Sequence, residues 1–410
     1  MIQDLKVSPV GITRFGLYLF AFSIPVSFVP AEFGVAIAFT GWLMDGLINK
    51  RWQLEWHPFF LPLIFYIAWN IIAALMSPRP WHSLLAVGDN EWPAAIMLLM
   101  FWTVRSDEVL KKIVFLFLGV STLAMAYSVW QTFSGIELYR SMPLIPAGSL
   151  FRNVGFYSFY LTFAAFAMTV FFLSGSMALQ SRGRTRGIYA IVAVLAFAAV
   201  LGSFARSIWL SILVATPLLG FVRSRRSGLI AVAGLLLVIV ILMIAVPDLR
   251  ERATTIIDPG QNQTRLNLWK TSLAIAGDFP FFGVGEDNFD FFFERYRVEG
   301  FYDTATHPHN DYLNILVSSG IPGLIAFMAL WIIALRTGFQ TVRGAADRHL
   351  RGIALGATLG LLGFLVGAFF QDYYGTFANC LGWWFMVGLI FAAEQCSRQS
   401  LSGSAAVKAS

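Results

Sequence analysis

A pair of histidines and a few scattered arginines are the residues in this chain best suited to chemistry. His307 and His309 lie in the run His307-Pro-His-Asn-Asp-Tyr-Leu313. An imidazole that is neutral near pH 7 can accept a proton from a hydroxyl. Pro308 biases His307 away from helix and suits a first helical turn, so the spacing predicts His309 in that turn, with Leu313 and Leu316 below it. The helix is interrupted at Gly320-Ile-Pro-Gly323, which leaves 309–319 as a short separate piece. Two other readings stay open. One is a helix-end histidine with a structural hydrogen bond. The other is a metal site from His307, His309, Asp303 and Asp311, although no H-x-x-x-H spacing supports it.

Arg206, in Ser203-Phe-Ala-Arg-Ser207, lies between two apolar runs, where an arginine is costly. It is either a clamp for an anion, since guanidinium pairs with phosphate through two parallel hydrogen bonds, or a snorkelling side chain in a turn. Arg265 opens a stretch with helical apolar spacing over 265–277, with Lys270 five residues on. A cation at a helix N-terminus opposes the dipole, and the free amides there add phosphate donors. The alternative is an ordinary exposed charge paired with Asp258, Asp278 or Glu286. Arg140 and Arg152 flank a further segment, and Asn153 follows Arg152 directly. Basic residues at helix mouths are common, so these two are weaker candidates. Together the set suits a substrate with a lipid tail and a phosphate or pyrophosphate head. No D-x-D and no G-x-x-x-x-G-K occurs, so neither a metal-nucleotide grip nor a phosphate loop is visible.

The elements that must position these residues follow from composition. Of 410 residues 57% are hydrophobic and 13% charged, about half the usual charged share of roughly 25%. The mean hydropathy is +0.69. A soluble protein could not cover its surface this way, and disorder, collagen, coiled coil and a disulfide scaffold are excluded on the same numbers. The fold class expected is an all-α polytopic membrane protein with about twelve transmembrane helices. The apolar segments run near 10–29, 31–48, 58–76, 90–104, 113–133, 153–174, 187–203, 206–222, 228–246, 310–335, 352–371 and 377–394. The fourth is short and is expected to start earlier and be partly irregular. The run 187–222 is too long for one span and is expected to turn near Gly202–Arg206.

With the N-terminus inside, every short inner loop is basic: Lys50 and Arg51; Arg105, Lys111 and Lys112; Arg182, Arg184 and Arg186; Arg223, Arg225 and Arg226; Arg336, Arg343, Arg348 and Arg351. With Lys6, Arg14, Arg398 and Lys408 these make nineteen of the 29 basic residues. The net charge of +6 is therefore a topology signal and not a nucleic-acid footprint. The first span reads as an uncleaved anchor. Cys380 and Cys396 lie in or just after the last apolar run and imply no disulfide. The expected organisation is spans one to nine over 1–246, a large outer loop over 247–309, spans ten to twelve over 310–394, and an inner tail over 395–410. The loop is rich in aromatic residues, including Trp269, Phe289, Phe292 and Phe293, and so has material for a small core of its own. Turns are expected at Gly283 and Gly285, and a folded loop of this length is more often functional than a spacer.

Several stretches resemble the bacterial O-antigen ligase and O-antigen polymerase superfamily. They are Arg265-Leu-Asn-Leu-Trp269, Asp278-Phe-Pro-Phe-Phe-Gly-Val-Gly285 with Asn288-Phe289, His309-Asn310-x-Tyr312-Leu313 and Gly320-Ile-Pro-Gly323. Ser203-Phe-Ala-Arg-Ser207 resembles the family's Ser-Arg motif, with Ala where Ser is usual. Gly148-Ser-Leu-Phe-Arg-Asn153 resembles its Gly-x-Phe-x-Asn motif, displaced by one residue. The resemblance implies an O-antigen ligase of the Gram-negative inner membrane, with its active site on the periplasmic face. Such an enzyme is a metal-independent, inverting glycosyltransferase without a cofactor. It moves O-antigen polysaccharide from undecaprenyl pyrophosphate, the donor, to the lipid A core, the acceptor, completing lipopolysaccharide. His309 matches the family's histidine proposed as base on the acceptor hydroxyl, and Arg206 and Arg265 match arginines expected to hold the pyrophosphate. His307, Asn310, Arg140, Arg152, Asn153 and Lys270 are secondary candidates. One long outer loop favours ligase over O-antigen polymerase, and the absence of an additional C-terminal domain disfavours protein O-oligosaccharyltransferase. A transporter or flippase for the same lipid-linked sugar is the alternative of another class, but it needs ionisable residues deep in the spans. The acids Asp45 and Asp372 lie near span ends instead.

Overall fold

In hydrocarbon every backbone amide must be satisfied inside its own segment, so apolar runs of this length fold as helices. The computed structural model describes residues 8–221, 224–255, 258, 260–302 and 307–409; Lys6, Arg223 and Asp303 lie outside the described residues, as does the side chain of Lys408. The first half contains α1 (Pro9–Ser23), α2 (Phe28–Ile48), α3 (Phe60–Leu75), α4 (Pro80–Glu91), α5 (Ala94–Thr103), α6 (Asp107–Ser134), α7 (Tyr160–Gln180) and α8 (Gly183–Gly202). The second contains α9 (Arg206–Phe221), α10 (Arg225–Ala245), α11 (Pro247–Thr254), α12 (Gln263–Asp278), α13 (Phe289–Tyr296), α14 (Asp311–Gly344), α15 (Arg348–Gly367) and α16 (Phe377–Ala409). A small antiparallel pairing, Pro146–Ala147 with Leu150–Phe151, is the sheet among the described residues.

The chain is an all-α multi-pass membrane protein. Each of the twelve expected segments contains a helix, although the sixth begins only at Tyr160 and not at 153, and nine helical stretches among the described residues are long and apolar enough to cross a membrane. The other three segments are α1, α3 and α9, of 15 and 16 residues. The fourth span starts at Pro80 and breaks at Trp92–Pro93, where proline has no amide to donate. The long run divides as expected, with α8 ending at Gly202 and α9 starting at Arg206. α16 continues as helix through the described part of the expected tail. The centre of the bundle is α7, α15 and α16, where Trp383 and Trp384 of α16 are fully buried together with Trp331 of α14. α10 stands apart: it packs chiefly on α9 and α11, and Gly228 is its one buried residue.

The segment between α10 and α14 is folded. Leu268, Ile275, Val284, Phe289, Phe292 and Phe293 form its small core with Val317 of α14. Gly283 and Gly285 both have positive φ, as the turn requires. The segment docks on a break in α14. Gly320 has φ 66° and ψ −170°, so the helix stops and restarts there. The carbonyls of Val317 and Ser318 accept from the amides of Val284 and Gly285 at 2.8 and 2.9 Å, and Ile321 N–H donates to Pro280 at 2.8 Å. Trp69 of α3 closes the joint, stacking on Phe282 and donating its indole N–H to Ser319 at 2.8 Å. A second anchor is Arg79, which donates to Asp290 and Asn288, both at 2.6 Å.

A Cβ at Gly320 would meet the Phe281 carbonyl group and lie 2.8 Å from the Pro280 oxygen. Gly320→Ala is therefore expected to lose about 1–3 kcal/mol from strained backbone, plus the clash. Thermal unfolding in detergent should show a lower midpoint, and protease should cut first between α12 and α13. An unchanged midpoint would mean that the break does not hold the segment.

Candidate active site

The candidate residues gather where α7, α9, α14 and α15 reach the end of the bundle that carries the folded segment. His309 leads into α14, one residue before its N-cap. The sequence predicted it in the first turn, but α14 starts at Asp311, Asn310 is the N-cap, and His309 has φ 52°. The Asn310 side chain accepts from Leu313 N–H at 3.0 Å and donates to Phe369 O at 3.1 Å. Both polar ends of this secondary candidate are thus engaged in holding the α14 start against the end of α15. The left-handed backbone turns the His309 ring off the helix axis and toward the connection after α15. There Nδ1 lies 3.1 Å from Gln371 Oε1. With that oxygen as acceptor, Nδ1 carries the proton and Nε2 keeps its lone pair. His307 packs edge-on against His309 at 4.2 Å between ring centres, and its Nδ1 lies 3.7 Å from Asp372. Burial first, then the neighbouring charges of His307 and Arg265, pull the His309 pKa down to about 4, against the opposing pull of Gln371 and Asp372. The ring is therefore neutral at pH 7.

Four guanidiniums share the site. Arg206 caps the turn between α8 and α9 and donates to the Thr255 carbonyl, to Thr255 Oγ1 at 2.9 Å and to Asn262 Oδ1 at 3.2 Å. It is bound to the folded segment and does not snorkel. Arg152 lies over the Tyr160 ring at 4.7 Å, and its buried Nε has no hydrogen-bond partner among the described residues. Arg265, in the first turn of α12, has no hydrogen-bond or ion-pair partner among the described residues. The acids that offered an alternative role are engaged elsewhere: Asp278 with Tyr296, Glu286 with Asn90, and Asp258 with the Gly260 amide. The fourth, Arg252 of α11, was not singled out in the sequence. Its Nε donates to Phe204 O at 3.3 Å. Burial, then the charge of Arg152, holds Arg252 below the ordinary arginine range, and Arg265 adds to this. The charges of Arg252, Arg265 and Arg152 also bear on Arg206, and that of Arg265 bears on His309. Like charges kept together, with a buried donor unsatisfied, form a site suited to an anion.

Asn153 is fully buried and donates to Thr132 Oγ1 and Ala199 O at 2.9 and 3.0 Å. It fixes the backbone beside Arg152, and its buried Oδ1 has no hydrogen-bond partner among the described residues. Lys270 is exposed, about 140° around α12 from Arg265 at helical pitch, and faces away. Arg140 is exposed over the Tyr139 ring and shares no contact with the four arginines. Three of the four residues of the metal alternative, His307, His309 and Asp311, are described. Both Asp311 oxygens accept backbone amides, from Tyr373 at 3.1 Å and Tyr374 at 3.0 Å. Asp303 lies outside the described residues, and no group of three or more His, Cys, Asp or Glu gathers among those described. Gln371 was missed because a polar residue at a span mouth looks ordinary in sequence. Arg252 left a faint signal, standing with Arg250 in the short polar helix α11 directly after the most apolar span.

Residues 191–328 match the family model for O-antigen ligase. This stretch is similar to an O-antigen ligase domain. The match begins inside α8, ends inside α14, and includes Arg206, Arg252, Arg265 and His309. Arg152 and Gln371, which lie beside these residues in the site, fall outside the matched stretch. No curated protein matches the chain.

Proposed function

We propose that this protein is the ligase that moves O-antigen polysaccharide from undecaprenyl pyrophosphate to the lipid A core at the periplasmic face of the Gram-negative inner membrane. The family supports lipid-linked polysaccharide processing in a membrane. One observation carries the finer reading: a neutral imidazole, its Nε2 without a hydrogen bond among the described residues, feels the charge of Arg265 together with a cluster of arginines. That juxtaposition supports His309 as the base and the arginines as the holder of a leaving pyrophosphate.

Arg152, Arg206, Arg252 and Arg265 hold the pyrophosphate and stabilise the charge that grows on it. The acceptor hydroxyl approaches on the other face of the anomeric carbon, beside His309. Its oxygen forms the new glycosidic bond as the bond from anomeric carbon to phosphate oxygen breaks, with inversion. The electron pair leaves with undecaprenyl pyrophosphate, and the hydroxyl proton passes to Nε2. Gln371 fixes the tautomer that makes this possible. The single large folded segment supports ligase over polymerase.

The test combines purified protein with undecaprenyl-pyrophosphate-linked glycan and lipid A core, in chelator. Glycan-bearing lipid A is the expected product. Growth of the glycan on its own carrier would make the protein a polymerase with the same residues in the same roles. Absence of both products from folded protein would overturn transfer altogether.

A further inference from the structure

The other end of the same helices holds a cleft that the transfer reaction does not use. It is lined by the ends of α7 and α8, by α9 and α10, and by the end of α14 and the start of α15. Its volume is about 1100 Å³, at the upper limit of roughly 300–1,000 Å³ common for small-ligand sites. The walls are apolar, with Phe171, Phe197, Leu219 and Ile230 among them. Gly175 and Gly234 face it, and a Cβ at either would meet nothing within 4 Å. The slot is thus open along its length, because α10 stands off from the bundle.

Its mouth is ringed by Arg182, Arg186, Arg343, Arg348 and Arg351. None of the five has an ion-pair partner among the described residues. Asp347, the acid beside them in sequence, caps α15 by accepting Leu350 N–H at 2.9 Å. Arg351 Nη2 donates to Ala345 O at 2.6 Å, and its buried Nε has no partner among the described residues. Guanidiniums at the membrane surface above an apolar slot complement a phosphate head on acyl chains. We infer that this cleft binds an anionic diacyl phospholipid, with its chains between α7–α8 and α9–α10 and its phosphate among the five arginines. Its distance from His309, by the length of α14 and α15, separates it from the donor site.

The experiment uses delipidated full-length protein in neutral detergent. Phosphatidylglycerol, phosphatidylcholine of the same chains, and inorganic phosphate are added separately, and bound lipid is counted by native mass spectrometry alongside the unfolding midpoint. Phosphatidylglycerol should bind and raise the midpoint, and the other two should do neither. Arg182→Gln with Arg186→Gln should weaken that binding roughly 10–30-fold, at about 1 kcal/mol per surface arginine. Gly234→Leu, which leaves all five arginines in place, should also displace the lipid by filling the slot. Equal binding of phosphatidylcholine, or no effect of either variant, would overturn the site. Protection by inorganic phosphate alone would make it an anion site and overturn the lipid.

Discussion

His309→Ala should lower glycan transfer by roughly 10²–10⁴-fold, the usual worth of a positioned base, while donor affinity changes only a few-fold. The imidazole is neutral before the donor arrives, so it contributes little to holding an anion. Its role falls in the step that moves the hydroxyl proton. Equal loss of donor binding and of rate would make it a binding residue instead. The pH profile gives an independent check. In the free enzyme the His309 pKa stands near 4, because burial and the charges of His307 and Arg265 disfavour the imidazolium. A group depressed in this way keeps its lone pair until the pH falls through the lowered value. The acid limb of kcat/KM for the donor should therefore appear near pH 4. Bound pyrophosphate offsets the Arg265 charge and favours the imidazolium, so the acid limb of kcat should lie at higher pH, toward the ordinary histidine value of about 6.5. Coincident limbs would place the pyrophosphate away from His309.

Arg265→Ala should weaken donor binding roughly 10–100-fold and also slow transfer. A hydrogen bond to a charged group is worth about 1.5–3 kcal/mol, and here it strengthens as the leaving group gains charge. The fold should be unaffected or slightly stabilised, since Arg265 has no partner among the described residues and its charge repels those of Arg206 and Arg252. This separates it from Arg206, whose removal also frees Thr255 and Asn262. Arg265→Lys should rescue only part of the loss, because an ammonium cannot form the bidentate pair. Removing the Arg265 charge should also move the kcat/KM acid limb upward, because one of the charges depressing His309 is gone. Unchanged donor affinity, measured by titration of the lipid-linked donor, would remove Arg265 from the site.

The helices were legible in the sequence because hydrocarbon allows the backbone few alternatives. Apolar length determines each span, and the break at Gly320 and the turns at Gly283 and Gly285 need residues tolerant of positive φ. His309, Arg206 and Arg265 could be named because a charge or an imidazole beside an apolar run is rare. What each of them does depends on neighbours distant in sequence, and periodicity carries no record of those. The sequence placed His309 in a helical turn. The packing of α14 against the end of α15 instead puts Asn310 at the cap and aims the imidazole at Gln371, 62 residues away. The sequence left Arg265 open between a solvated charge and an anion holder, and only the tertiary structure sets it beside Arg206, Arg252 and His309 with no partner among the described residues. Asn153 and Arg152 are adjacent in the chain, yet one is tied into the bundle and the other faces the site, because consecutive side chains in an extended stretch point opposite ways. Composition and periodicity decide where a chain crosses the membrane; which charges meet at its surface is decided by how the helices pack.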